Sequence, residues 1–175
     1  MIRNILTIGL VAILLTACGA RSFGNKIDDQ FIGPEVLRAI KDAHIDLHTS
    51  TSRIVVTSYN GIVLVAGQTP RAELKELAGK AANTVTSAKK IHNELQVTTP
   101  TSGLVRSNDA LLTANIKARM LKYNDVPASK VKVVTENGVV YLFGVISRAE
   151  ASRATAVVQE VSGVQKIVRL FEYLD

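Results

Sequence analysis

The chain has 175 residues, and about 158 remain once a leading apolar segment of 17 is set aside, which allows one ordinary domain or two small ones and excludes a large multidomain enzyme. Apolar residues make up 47% and charged residues 21%, which excludes a disordered tail protein; aromatics are 5% and Trp is absent, so Val, Ile, Leu and Ala must build any core. The formal net charge of +6, or +5 without the leading segment, suits transient contact with anionic surfaces rather than dedicated nucleic-acid binding, and the single Cys excludes an internal disulfide or a thiolate zinc cage.

Ile5 to Leu15 is an almost unbroken apolar run of 11 residues behind the positive charge of Arg3. It is too short to span ~30 Å of hydrocarbon as a helix, so residues 1–17 are expected to be a secretory signal. The run ends in Leu15-Thr16-Ala17-Cys18, which resembles the bacterial lipobox. A thiol there takes diacylglycerol, the freed amine takes a further chain such as palmitate, and each buried CH₂ contributes ~0.8 kcal/mol to membrane attachment. Gly19 stands where an Asp commonly retains lipoproteins at the inner membrane, so the same resemblance implies the outer membrane and a periplasmic face. Residues 18–32, with Gly, Ser, Asn, Asp and little periodicity, are expected to form a lipidated tether.

The rest of the chain repeats itself. Arg53 to Gly67 and Lys130 to Gly144 match at an offset of 77, each with Asn-Gly between two β-branched runs, the signature of a type I′ hairpin. A helix is predicted before each hairpin, opened by Pro34 in the first copy and capped by Ser107, Asn108 or Asp109 in the second. A second helix follows over about Arg71 to Thr84 and Arg148 to Glu160, then a final strand over about Lys90 to Val97 and Lys166 to Leu174. In these later segments Val85 and Ile91 match Val161 and Ile167 at an offset of 76. The order αββαβ predicts an α+β fold of two tandem modules, each a three-stranded mixed sheet with two helices on one face. The modules are expected over residues 33–98 and 107–175, joined by a linker at 99–106 in which Pro100 and Gly103 are breakers.

The two copies resemble BON domains, whose pattern has an Asp-led helix, an extended I-x-V, a Gly turn, V-x-L-x-G, a helix with Ala-Glu near its start and a closing G-V-x-x-I/V. In the second copy the matching residues are Asp109, Leu112, Ile116, Val131, Val133, Gly138, Val140, Leu142, Gly144, Gly163, Val164 and Ile167. The first copy departs from it, with Ser87-Ala88 for Gly-Val and Gly33-Pro34-Glu35 for the Asp lead. A lipobox ahead of two such modules is similar in architecture to the DolP-like outer-membrane lipoproteins. The resemblance implies a non-enzymatic, phospholipid-associated protein without a cofactor, supporting the envelope at an anionic lipid surface through its second copy.

On the first helix of that copy, Leu112, Ile116 and Met120 recur every four residues as a core stripe, with Leu111 near its flank. Arg106 precedes them, and Lys117, Arg119 and Lys122 lie further along the helix. The expected phospholipid-binding set is Arg106, Ser107, Asn108, Asp109, Ala110, Leu111, Lys117, Ala118 and Lys122, an apolar wedge beside basic residues at a helix start whose free N–H groups receive phosphate. Leu111 reads equally as a widening of the core stripe. The family often has an aromatic at this position, and Leu lacks the interfacial preference of Trp.

Strand alternation gives the second inference. If Val131, Val133, Val140 and Leu142 face the helices, then Val134, Val139, Tyr141 and Phe143 face the other way, as do Val55, Tyr59, Leu64 and Ala66 in the first copy. Such faces are too apolar to stay wet. The two sheets are therefore expected to pack on each other in a monomer, with Tyr59, Leu64, Ala66, Val134, Tyr141 and Phe143 between the modules; an oligomer or partner interface is the alternative.

Catalytic and metal readings find little support. His44 and His48 are spaced for one helical face, but the third His is distant and a metal needs three or four ligands, so no metal site is expected. Ser87 to Lys90 spells S-x-x-K without the partner motifs of an acyltransferase, and no Gly-rich phosphate loop is present. Two functions are carried forward: recognition of anionic phospholipid, and a periplasmic scaffold that binds an envelope protein such as outer-membrane assembly or division machinery.

Overall fold

The computed structural model describes residues 23–175, with side chains from Asp29 onward. The expected signal segment and Cys18, the expected site of acylation, lie outside the described residues. The elements are α1 (Phe23–Ala43), α2 (Ile45–His48), β1 (Arg53–Tyr59), β2 (Ile62–Thr69), α3 (Ala72–Ala82), β3 (Lys90–Asn93), β4 (Gln96–Val97), α4 (Gly103–Met120), a 3₁₀ turn (Ala128–Lys130), β5 (Lys132–Glu136), β6 (Val139–Ile146), α5 (Arg148–Gln159) and β7 (Lys166–Tyr173).

Both leading helices begin earlier than the sequence predicts. α1 starts at Phe23, so the stretch expected to be tether is helical from there, and Pro34 lies inside the helix rather than in its first turn. The reason is burial. Ile32, Val36 and Ile40 form one buried stripe that begins before Pro34, while Pro34 itself is exposed. α4 starts at Gly103, capped by Ser102, whose Oγ accepts from the Val105 N–H at 3.4 Å. Ser107, expected as a cap, is an interior residue whose hydroxyl donates to the Gly103 carbonyl at 3.1 Å. The stretch between α4 and β4 is correspondingly short, and Thr101 fastens it by donating its N–H to Gln68 Oε1 at 3.2 Å.

The hairpins form as the Asn-Gly pairs dictate. Asn60 and Gly61 have φ of 55° and 80°, Asn137 and Gly138 have 51° and 72°, and each pair joins two antiparallel strands. The strand after the second helix then adds in parallel on the other side, giving the orders β1-β2-β3 and β5-β6-β7. In the first module the expected single closing strand is divided at Glu94-Leu95 into β3 and β4, without a slip: Ile62 pairs with Lys90, and Gln68 with Gln96 at the same spacing. Asn93 makes the break, since its Nδ2 donates to the Lys75 carbonyl at 2.7 Å and its Oδ1 accepts from the Leu95 N–H at 3.4 Å. Glycine is required at the end of each hairpin remote from its turn, where the backbones approach closely. A Cβ on Gly67 would lie 1.9 Å from the Arg53 carbonyl oxygen, and one on Gly144 would lie 2.9 Å from that of Lys130.

Alternation along the two central strands divides the apolar side chains into three cores. Val63 and Val65 turn toward α1 and α3, and Val140 and Leu142 turn toward α4 and α5. Their neighbours Leu64, Ala66, Tyr141 and Phe143 meet between the sheets with Tyr59, Val139, Val145 and Leu170. The layers therefore run helix, sheet, sheet, helix, and β2 and β6 are covered on both faces.

The junction between modules has internal symmetry. Asn60 Nδ2 donates to Glu172 at 2.7 Å, and its counterpart Asn137 Nδ2 donates to Gln96, the counterpart of Glu172, also at 2.7 Å. The offsets of 77 and 76 found in the sequence make these one contact used twice. The interface is thus isologous, as in a two-fold dimer, with the hairpin tip of each module against the far end of the other.

Candidate functional site

A carboxylate on the leading helix anchors each module. Asp109, only 6% exposed, accepts the Asn137 N–H at 2.8 Å and the Gly138 N–H at 2.9 Å. Asp29 accepts those of Asn60 and Gly61 at 2.7 and 2.9 Å. Two observations of the sequence are corrected by this pair. Asp109 was expected among the phospholipid contacts, yet both its oxygens are spent inside the fold on the turn. The first module does have an Asp lead, Asp29, which lies 80 residues before Asp109 whereas the hairpins are 77 apart. A comparison at constant offset pairs Asp109 with Ile32 and hides the match.

The register of Asp109 decides what the rest of α4 presents. Leu112, Ile116 and Met120 are buried, whereas Leu111 is 64% exposed and so is no part of the core stripe. By the 100° step of the helix, Leu104, Leu111, Ala118 and Lys122 fall along one side, away from the core, with Leu104 72% exposed. Arg106, Ser107, Asn108, Ala110, Lys117, Ala118 and Lys122 are all exposed. The expected site at a helix start is not present: Leu111 lies in the third turn of α4, and the N–H groups without helical partners are those near Gly103.

The charges of this helix are differently engaged. Arg119 is held by Glu160 at 2.6 Å, and that hydrogen bond is the main cause of a raised guanidinium pKa. Arg106 Nη1 donates to the Thr101 carbonyl at 2.6 Å. Among the described residues no ion pair holds Lys117 or Lys122. Beside Leu111 a groove of about 470 Å³ opens between α4, the Asn137-Gly138 turn and the loop at Ser162-Gly163, with Asn108, Asn115 and Gln165 on its rim. An exposed apolar ridge, two lysines and an amide-lined groove can meet a layered surface of apolar chains under polar headgroups.

The structure brings the expected inter-module residues together: Tyr59, Leu64, Ala66, Tyr141 and Phe143 are buried in one cluster, Val134 packs on its edge, and the Tyr59 and Phe143 rings are 6.0 Å apart. Val145 and Leu170 were missed, although continuing the alternation two residues past Phe143 reaches Val145. The polar rim was also missed. Glu136, 4% exposed, accepts from Gln68 Nε2 at 3.0 Å and from Arg53 Nη2 at 3.2 Å. Burial pushes the Tyr141 phenol far above its ordinary pKa, and the charges of Glu94 and Glu136 add to the shift. His44 serves the fold, its Nδ1 accepting from the Asp46 N–H at 3.0 Å at the start of α2, while His48 is exposed. No group of three or more potential metal-binding side chains occurs among the described residues.

Two αββαβ sandwiches, joined through their sheets, define a tandem-module protein of the α+β class. Residues 28–99 and 108–175 each match the BON domain, and the chain belongs to that family. It is 36% identical over 160 residues to outer membrane lipoprotein DolP of Haemophilus influenzae, covering 91% of this chain and 81% of that protein. It is 35% identical over 155 residues to a 21 kDa hemolysin of Actinobacillus pleuropneumoniae (88% and 78% covered) and 31% identical over 147 residues to osmotically-inducible protein Y of Escherichia coli (82% and 72%).

Proposed function

We propose that this protein is a non-enzymatic envelope lipoprotein, acylated at Cys18 and held on the periplasmic side of the outer membrane, which recognises anionic phospholipid through its second module and supports outer-membrane integrity. The name of its Haemophilus relative supports the location and the anchor. The observation that carries the lipid reading is the outward ridge of Leu104, Leu111 and Ala118 on α4, with Lys122 on the same side and Lys117 exposed about a third of a turn away. Full burial of a Leu side chain is worth about 1.5–3 kcal/mol, enough to change partitioning more than tenfold, while each lysine adds attraction that salt screens. Asp109 contributes indirectly, by fixing the rotation of α4 that turns Leu111 outward.

The test is flotation of the mature chain carrying Cys18→Ser with phosphatidylglycerol vesicles. The reading expects binding that weakens with salt and drops at least tenfold in Leu111→Glu, without loss of thermal stability. A chain that ignores these vesicles but captures a defined outer-membrane assembly protein in a purified mixture would replace it with the scaffold reading.

A further inference from the structure

The first module has a free sheet edge. β1 pairs only with β2, and alternation along that pair decides where its main-chain groups point. Val65, opposite Val56, accepts the Glu94 N–H at 2.8 Å on the β3 side, so the N–H and C=O of Val56 point out of the sheet, as do those of Ile54 two residues earlier. Among the described residues no hydrogen bond is made to these outward groups, whereas the Ser58 carbonyl accepts from Lys132 Nζ at 3.2 Å. Beside the edge a groove of about 570 Å³ is walled by Gly33, Pro34 and Leu37 of α1 and by Val56 and Ser58 of β1. We propose that this groove docks an extended peptide, which adds to β1 as an antiparallel strand with its carboxyl end beside Lys41. The inference stands apart from the lipid reading, which rests on α4 of the second module.

In the second module the same place is bridged. The helix offset of 80 and the hairpin offset of 77 carry Gly33, Leu37 and Ser58 onto Thr113, Lys117 and Thr135. Thr113 Oγ1 donates to Thr135 Oγ1 at 2.8 Å and ties the helix to the edge strand. In the first module Gly33 has no side chain to cross the gap, and a Cβ there would meet Ser58 Oγ at 3.5 Å. The Ser58 hydroxyl donates instead to the Asp29 carbonyl. Leu37, where the second module has a charged lysine, gives the open gap an apolar wall.

The two walls select the occupant. The outward N–H and C=O groups of Ile54 and Val56 repeat at about 6.8 Å, two residues of a strand, a spacing that another extended backbone matches bond for bond. Pro34 and Leu37 receive every second side chain of such a peptide, which favours apolar residues at alternate positions. An antiparallel peptide runs from Ser58 toward Arg53, because β1 runs from Arg53 to Tyr59. α1 also runs opposite to β1, from Asp29 at the turn, so Leu37 and Lys41 lie toward Arg53. There Pro34 and Leu37 line a second groove together with Arg38, Lys41 and His48. Its acidic residue, Asp42, is engaged by Arg38 at 3.6 Å, whereas among the described residues no ion pair holds Lys41. Asp29, at the far end, is spent on the Asn60-Gly61 turn. A carboxylate at the end of the peptide therefore meets net positive charge.

The experiment titrates the mature chain carrying Cys18→Ser into a fluorescent octapeptide, Thr-Val-Thr-Val-Thr-Val-Thr-Glu with a free carboxyl end, and follows anisotropy. Two further peptides carry N-methyl groups on one or the other set of alternate amides. The proposal expects one methylated peptide to lose binding and the other to keep it, since only one set of amides faces β1. Gly33→Thr and Leu37→Lys, which install the second module's residues, should each weaken the unmethylated peptide about tenfold. Lys41→Glu should weaken it about threefold and flatten its salt dependence. Unfolding midpoints serve as the folding control for the variants, and the methylated peptides test the unaltered protein. Absence of binding, binding that treats the two methylated peptides alike, or full binding by Leu37→Lys would each overturn the proposal. A parent that sediments as a dimer and turns monomeric in Leu37→Lys would overturn it too, giving the edge to a second copy of the chain. Vesicle binding by α4 is unaffected by any of these results.

Discussion

Arg53, the first residue of β1, donates through Nη2 to Glu136, the last residue of β5, at 3.2 Å. The symmetry mate of this contact is Tyr59, whose hydroxyl donates to the Lys130 carbonyl at 2.9 Å. One position of the duplicated interface thus holds an ion pair in one half and a neutral hydrogen bond in the other. Glu136 also satisfies the fully buried Gln68 amide. Glu136→Ala leaves that amide without its acceptor and should destabilise the protein by about 2–3 kcal/mol in urea unfolding, with partial recovery in Glu136→Gln. An unchanged midpoint for Glu136→Ala would mean that the polar rim contributes nothing.

Phe143 is wholly buried between the sheets against Tyr59. Phe143→Ala should cost about 3–4 kcal/mol by cavity formation. Phe143→Asp, which puts a carboxylate among apolar side chains, should loosen the modules and raise the hydrodynamic radius of a chain that remains monomeric. Dimers or larger species in the parent that dissolve in Phe143→Asp would assign the face to an oligomer instead.

The two carboxylate clamps make a matched pair of tests. Asp109→Ala and Asp29→Ala each remove the acceptor of two turn N–H groups, and each should cost about 2–3 kcal/mol. Amide exchange at Asn137 and Gly138 should accelerate in the first variant, and at Asn60 and Gly61 in the second. Exchange rates that stay at the parental value would show that the turns hold themselves.

His92 on β3 has a lowered pKa, chiefly through burial and then through the charge of Lys90, with Glu94 opposing. A proton therefore binds the unfolded chain more readily than the folded one. The stability this gives is complete above the unfolded value of about 6.5 and is lost as the pH falls through the lowered folded value. His92→Gln should flatten the acid limb of a plot of Tm against pH below about 6.5. A limb of unchanged slope would place the acid sensitivity elsewhere.

What the sequence determined by itself was local or strictly periodic. Asn-Gly sets positive φ through two residues, and alternation assigns a face within one strand, so the hairpins, the duplication and the heart of the inter-module cluster were legible from Asn60, Asn137, Tyr141 and Phe143. Only the tertiary structure decided which helix residues answer which turn. Asp29 is 31 residues from Asn60, while Asp109 is 28 from Asn137. A constant offset cannot follow that difference of three, but a carboxylate and two N–H groups meeting in space do. Rotation of α1 and α4 about their axes follows from those contacts, and with it the outward direction of Phe31 and Leu111, because a helix carries apolar residues on either side of its core stripe and packing alone selects which are covered.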